Sequence, residues 1–342
     1  MTTSTPRITP NLFGISFGLT GLGEVWTTAA RLYDVPVAVG DGILTLAGLV
    51  WAATLILYVR DLVASGRWRT ELVDPVFAPF VALAGIIPML LGVALAARFP
   101  TVGTTVALVS LVFTLVLGGS LIGEWIVSDL SLRQWHPGYF LPTVAGGYLG
   151  STALATLGHH QLAQAMFGYG SVSWLVLGSI LLQRMFVEQR LPAPLLPTMA
   201  IQMAPPVVAG SAWFEINGGR ADGLALGLAG YAVLMAMVQL RLVPVFRTSP
   251  FGPGWWAFSF SYAAVFLDAL HWLAAEDVSH GTAWTWPLLA PVTAAITALA
   301  VRTTVAIGRG RFLPNPGPHV VPTDSAPAPA VTTSTEHEEH VA

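Results

Sequence analysis

Residues 102–123 read VGTTVALVSLVFTLVLGGSLIG, an apolar run without a charged side chain. A helix needs about 20 apolar residues to cross the hydrocarbon core of a bilayer, and this run is long enough. Hydrophobic residues make up 54% of the chain and charged residues only 10%, which leaves too little polar surface to cover a water-soluble fold. The run therefore predicts an all-α integral membrane protein.

The same kind of run recurs along the chain, with short connections between the runs. We therefore expect one ten-helix transmembrane domain over residues 11–312, after a cytoplasmic N-terminal segment at 1–10. Residues 313–342 are rich in Pro, Thr, Ala, Glu and His and predict a disordered cytoplasmic tail. The predicted spans are residues 11–31, 37–59, 76–98, 102–128, 137–158, 160–182, 196–216, 222–243, 253–274 and 282–307.

The positive charges predict the orientation in the membrane. All 15 Lys and Arg residues are arginines, and an N-terminus in the cytoplasm would leave only Arg31, Arg98 and Arg220 outside. Positive residues accumulate in cytoplasmic loops. We therefore predict a multi-pass protein of the plasma membrane with both termini in the cytoplasm.

Helix-breaking residues recur in the odd-numbered spans. Proline removes a backbone hydrogen bond and glycine lets helices approach closely, and in lipid both are tolerated where neighbours or water satisfy the backbone. We expect the odd spans to line a central pore and the even spans, rich in Leu, Val and Ala, to face lipid. Alternatively, proline is simply commoner in membrane helices than in soluble ones. The residues concerned are Gly14, Gly18, Gly21, Gly23, Pro79, Pro88, Pro137, Pro142, Pro205, Pro206 and Pro253.

Four short motifs carry a resemblance to a known family. They are Phe13-Gly14-Ile15 with Gly18-Leu19, His136-Pro137 with Phe140-Leu141-Pro142, Ala204-Pro205 with Ser211-Ala212, and Trp256-Ala257-Phe258-Ser259-Phe260. In this order and spacing they resemble the family of the tellurite-resistance protein TehA, the plant slow anion channels and the four-carbon dicarboxylate transporters. The resemblance implies five helical hairpins around a quasi-fivefold pore, and a homotrimer.

The resemblance also implies a gate at Phe260. On its own, a phenylalanine in a membrane helix most often packs against neighbours or lipid. A large aromatic residue at the narrowest point of a pore blocks ions by sterics and dewetting. Position matching places Phe17, Val144 and Val208 on the same inner wall. The other predicted pore-lining residues are Thr20, Glu24, Pro88, Pro142 and Pro206.

Three ionisable residues stand out within the spans. Glu24 follows Phe17 by about two helical turns, and Asp268 and His271 follow Phe260 on the ninth span. Ionisable groups inside a membrane are costly and often functional. The three could form a titratable cluster that gates the pore or couples proton movement to anion movement. Alternatively, they bond to neighbouring helices or reach the interface.

Three classes of function remain open at this point. The apolar lumen and Phe260 favour a channel or permease for small anions such as chloride, nitrate, sulfite or tellurite. Glu24, Asp268 and His271 favour a proton-coupled dicarboxylate carrier, although no arginine lies mid-span to pair with two carboxylates. An intramembrane enzyme would need a convergent catalytic set, and no such signature occurs.

Several kinds of partner are not expected. The chain has no cysteine, which excludes disulfides and thiolate metal sites. No histidine has the spacing of a metal ligand in a plausible site, so we expect neither a metal nor a cofactor. The expected partners are small anions, the lipid bilayer and further copies of the chain, and not nucleic acid.

Overall fold

The computed structural model describes residues 7–313, and within that range the chain is all-helical, with no strand. The predicted tail, apart from residue 313, lies outside the described residues, as do residues 1–6 of the predicted N-terminal segment. The α helices are α1 (Phe13–Leu32), α2 (Val37–Ser65), α3 (Trp68–Val73), α4 (Leu83–Ala96), α5 (Pro100–Val127), α6 (Gly146–Thr156), α7 (His160–Val187), α8 (Ala204–Asn217), α9 (Gly223–Phe246), α10 (Ala257–Ala275) and α11 (Gly281–Gly308).

Five of these helices begin with a differently wound segment that the sequence pattern did not predict. A 3₁₀ helix, which is wound more tightly than an α helix, leads into each of them, and before α6 it is followed by a π-helical turn. Each 3₁₀ segment carries a proline in its first turn, where a missing N–H costs least. These segments are Pro10–Leu12, Ala78–Ala82, Pro137–Phe140 with the π turn Leu141–Ala145, Ala193–Met203 and Pro253–Trp256.

A helical segment stands at each of the predicted spans, and seven of the described helices are long and apolar enough to cross a membrane. Burial divides these seven into two kinds. In the segment Ala78–Ala96, 72% of the most apolar window is buried, and in Pro253–Ala275 the share is 44%. In α2, α5, α7, α9 and α11 the share is only 17% to 28%. The odd-numbered spans among the seven are thus the more buried, in keeping with the expected inner position.

Proline separates the two kinds less well than burial does. The tenth helical segment, α11, contains Pro287 and Pro291, and α9 contains Pro244. The exposed helices therefore also carry proline, and its presence alone does not identify an inner helix. Burial and the 3₁₀ starts identify the inner helices instead.

The packing order brings together the five helices that follow a 3₁₀ segment, α1, α4, α6, α8 and α10, which we call the buried helices because most of their residues are buried or partly buried. Consecutive long helices pack as neighbours, α1 with α2, α4 with α5, α6 with α7, α8 with α9 and α10 with α11. Among the buried helices, α1 contacts α4, α4 contacts α6, α6 contacts α8, α8 contacts α10, and α10 returns to α1. These contacts therefore run from α1 through the other four buried helices and back to α1.

Glycine allows the closest helix crossings. At the crossing of α6 and α7, a Cβ atom added to Gly147 would lie 2.5 Å from the Cα of Gly170. That distance is well inside van der Waals contact, so the two backbones touch only because neither residue has a side chain. Small residues at such crossings replace the hydrophobic driving force that is missing between helices in lipid.

We expect Gly147→Ala to destabilise the protein by about 1 to 3 kcal/mol, the usual cost of overpacking a core. The measurement is the melting temperature of the purified protein in detergent. Gly227→Ala on α9 is the matched control, because a Cβ added there has no neighbour within 4 Å. Equal melting temperatures for the two variants would contradict a tight contact at Gly147.

Candidate pore

An apolar cavity lies among the N-terminal halves of the five buried helical segments. Its volume is about 50 Å³, and every one of the five segments contributes to its wall. None of the described residues that line it carries a charge. Representative lining residues are Phe17 on α1, Leu83 on α4, Val144 and Tyr148 on the fifth span, Val208 on α8 and Phe260 on α10.

Two phenylalanines from different helices stack in this cavity. The rings of Phe17 and Phe260 lie 3.6 Å apart between centroids and within 9° of parallel. Both side chains are buried. Glycine makes room for the stack, because a Cβ added to Gly21 would lie 2.9 Å from the Phe260 ring. At Gly18 it would lie 2.5 Å from the Cβ of Ser259.

The cavity contains some of the predicted lining residues and leaves out others. Phe17, Val144, Val208 and Phe260 line it. Thr20 does not, and its hydroxyl donates to the carbonyl of Ser16 on the same helix at 2.9 Å.

The predicted prolines and Glu24 also lie outside the lining. Pro88 is buried inside α4, and the carbonyl of Pro142 lies toward Gly118 of α5. On α8, Pro206 was predicted to line the pore, but the neighbouring Pro205 lines the cavity instead.

The neighbouring aromatic residue Phe258 has different surroundings. It packs edge-on against Phe246 of α9, with ring centroids 4.9 Å apart, and also against Trp255 and Tyr262. It is not a lining residue of the cavity. Phe258 and Phe260, two residues apart on one helix, thus occupy a packing site and a cavity site.

The predicted titratable cluster is not joined by direct contacts. Within residues 7–313 no hydrogen bond or ion pair connects any two of Glu24, Asp268 and His271. Asp268 is buried and accepts a long hydrogen bond, 3.4 Å, from the Ser211 hydroxyl of α8. Glu24 is partly exposed, and its only side-chain-mediated hydrogen bond in the described part of the chain is at its backbone carbonyl, which accepts from the Thr27 hydroxyl at 3.2 Å.

His271 has instead a partner that the sequence pattern did not assign to it. Its Nε2 lies 3.4 Å from Oε1 of Glu215, and Glu215 also forms an ion pair with Arg31. We call Arg31, Glu215 and His271 the mouth cluster. Its members come from the C-terminal ends of α1, α8 and α10. The cavity is lined by the N-terminal halves of these helices, so the mouth cluster lies beyond the stacked phenylalanines, on their other side.

The loop after α8 is fixed by Asp222, the N-cap of α9. Its carboxylate accepts hydrogen bonds from the backbone N–H groups of Ala225 and Leu224, both at 3.1 Å, and from the indole of Trp213 at 2.9 Å. These donors, the Ala225 N–H first among them, lower the pKa of the Asp222 carboxyl. They hold the end of α8 that carries Glu215.

A capping histidine stands at the start of the fifth span. His136 Nδ1 accepts a hydrogen bond from the Gly138 N–H at 3.1 Å, which leaves Nε2 to donate to the Val76 carbonyl at the same distance. His136 is fully buried. No group of three or more His, Asp or Glu side chains suited to a metal ion occurs among the described residues.

Comparison with known proteins agrees with these features. Residues 7–304 match the family SLAC1, described as "Voltage-dependent anion channel". The chain is 31% identical over 255 residues to a tellurite resistance protein TehA homolog of Haemophilus influenzae, covering 74% of this chain and 77% of that protein. It is 24% identical over 312 residues to the S-type anion channel SLAH3 of Arabidopsis thaliana, covering 86% of this chain but 47% of the plant protein.

The family match spans most of the chain and includes all five segments that line the cavity. The similarity to the bacterial relative also extends over most of both proteins. This membrane protein therefore belongs to the SLAC1 family of voltage-dependent anion channels.

Proposed function

We propose that the protein is an anion channel of the plasma membrane that passes small anions such as chloride, nitrate, sulfite or other oxyanions. In this proposal ten helices cross the membrane as five hairpins around a quasi-fivefold pore, with both termini in the cytoplasm. Phe260 is the gate, and Phe17 holds it closed. The observation that carries the proposal is the uncharged cavity in which the rings of Phe17 and Phe260 stack.

Helix dipoles supply the attraction for an anion. Each of the five helical segments contributes residues from its N-terminal half to the cavity wall. An α helix carries partial positive charge at its N-terminus. An anion in the cavity therefore meets five favourable dipoles, while an apolar wall without Arg or Lys gives it no deep binding site to be trapped in.

The stacked rings explain how the pore stays closed. An apolar constriction resists ions because they must shed water there without receiving polar contacts in return. An aromatic pair adds about 0.5 to 1.5 kcal/mol to the burial of its rings, so separating Phe260 from Phe17 is a modest and reversible step. A rotation of the Phe260 side chain would therefore open the path without rearranging the helices.

The dicarboxylate carrier is not favoured, because the relatives with printed functions include S-type anion channels and no described lining residue is an arginine. We propose no enzymatic activity, since the described residues that line the cavity include no catalytic set. The proposed partners are small anions, the bilayer and two further copies of the chain in a homotrimer. Neither a cofactor nor nucleic acid is part of the proposal.

We expect Phe260→Ala to raise the anion current across planar bilayers by about tenfold or more, because a loss of about 1.4 kcal/mol of closing free energy already changes the open fraction tenfold. The matched control is Phe258→Ala, which removes a ring of the same size from the packing site beside Phe246. We expect it to lower the melting temperature and leave the current near the wild-type value. Equal and small effects of the two changes on the current would exclude Phe260 as the gate.

We expect Glu24→Gln to change the pH dependence of the anion current. The carboxylate lies two helical turns beyond Phe17, past the cavity lining, and in the proposed open pore its charge would act on an anion that has passed the gate. The measurement compares Phe260→Ala with Phe260→Ala/Glu24→Gln over a range of pH. Superimposable pH profiles would assign Glu24 a structural role.

A further inference from the structure

An ion pair joins two pore helices that are not neighbours. Arg31 belongs to α1 and Glu215 to α8, and both nitrogens of the guanidinium fork face the two carboxylate oxygens. Helix α1 packs against α4 and α10, whereas α8 packs against α6 and α10, so α10 stands between the two partners. The contact between Arg31 and Glu215 therefore spans α10, whose His271 also contacts Glu215.

The ion pair passes on the pore side of α10. An α helix has about 3.6 residues per turn, so residues seven, eleven and fourteen apart share one face. Each member of the mouth cluster follows a cavity-lining residue of its own helix at one of these spacings. The pairs are Phe17 and Arg31, Val208 and Glu215, and Phe260 and His271.

His271 completes the enclosure of the Glu215 carboxylate. Its imidazole is stacked on Phe214, with ring centroids 5.8 Å apart, and the residue is only 8% exposed. Its Nε2 is directed at Glu215, while its buried Nδ1 has no hydrogen-bond partner within the described residues. Arg31, in contrast, has a side chain that is 48% exposed and open to solutes.

We propose that Arg31 and His271 form a binding site for a small anion over the mouth of the pore, and that the Glu215 carboxylate occupies this site as a tethered competitor. The inference deepens the proposed function, on which it rests. An arginine fork is well suited to a carboxylate or another planar oxyanion such as nitrate. The Glu215 carboxylate thus has the chemistry of the ligand that the site would take.

Competition from the Glu215 carboxylate explains why an anion would not stay bound at Arg31 and His271. A bare guanidinium beside an imidazole would hold an anion at the mouth, and conduction requires that the ion leave again. When an anion binds Arg31, Glu215 is displaced, and when Glu215 returns, it expels the anion. The Arg31–Glu215 pair therefore weakens anion binding at the mouth.

The experiment measures anion current in bilayers as a function of the chloride and nitrate concentration on the side of the mouth cluster. The Phe260→Ala background removes the aromatic gate. We expect Glu215→Gln to lower the half-saturating anion concentration by about tenfold, because a charge-assisted competing contact is lost. Arg31→Gln should raise that concentration, and the double variant should behave like Arg31→Gln.

Asp41→Asn is the matched control. Asp41 of α2 forms an ion pair at the same end of the molecule with Arg98, an exposed residue in the connection between α4 and α5. This variant removes the same charge at a similar depth but away from the mouth. Glu215→Asp, which keeps the charge on a shorter side chain, should fall between wild type and Glu215→Gln.

The two proposals fail in different ways. If Phe260→Ala carries no anion current, the proposed channel function is wrong. If it carries current but Glu215→Gln and Asp41→Asn give the same concentration dependence, there is no anion site at Arg31. An unchanged half-saturating concentration in Arg31→Gln would overturn the inference as well.

Discussion

Every backbone polar group in the hydrocarbon region must find its hydrogen-bond partner inside the protein, and this constraint shapes the whole molecule. A regular α helix satisfies it alone, so the exposed helices α2, α5 and α7 are long and without 3₁₀ starts. Segments that depart from α geometry leave backbone groups unpaired, so in the membrane they must be buried within the protein. The described 3₁₀ segments that lead into α helices, and the π turn, all precede the buried helices. The exposed layer thus permits the irregular backbone from which the cavity is built.

Close approach of helices then determines where the cavity is closed. Helix α1 lacks side chains at Gly18 and Gly21, and α10 packs into the resulting groove. This contact brings Phe260 face to face with Phe17, at a centroid distance of 3.6 Å. A larger residue at Gly21 would strike the Phe260 ring. The aromatic plug is therefore a product of helix packing as much as of the phenylalanines themselves.

Much of this arrangement could be predicted from the sequence, because hydrophobic length predicts membrane helices and helical spacing predicts which residues share a face. Phe17, Val144 and Val208 were placed on the inner wall by position matching, and they line the cavity. The 3₁₀ starts could not be predicted, since proline in a first turn is compatible with either kind of helix. Proline as a sign of an inner helix failed at Pro287 and Pro291, which lie in an exposed helix.

Pairings between distant residues were beyond the sequence pattern for a different reason. Arg31 and Glu215 are 184 positions apart, and nothing local indicates that they meet. The Glu24, Asp268 and His271 cluster was predicted from depth along their helices, but lateral position decides contact. Depth follows from a rise of about 1.5 Å per residue, whereas lateral position depends on the tilt of every neighbouring helix.

The two halves of the proposed lumen differ in how they attract an anion. In the N-terminal half, helix dipoles act on the ion in an uncharged, apolar wall. In the C-terminal half, full charges are present, but Arg31 and Glu215 neutralise each other. A free arginine beside the apolar half would bind an anion strongly just where it has shed its water. Pairing that arginine with a carboxylate keeps the attraction available while limiting its strength, which is the compromise that rapid permeation requires.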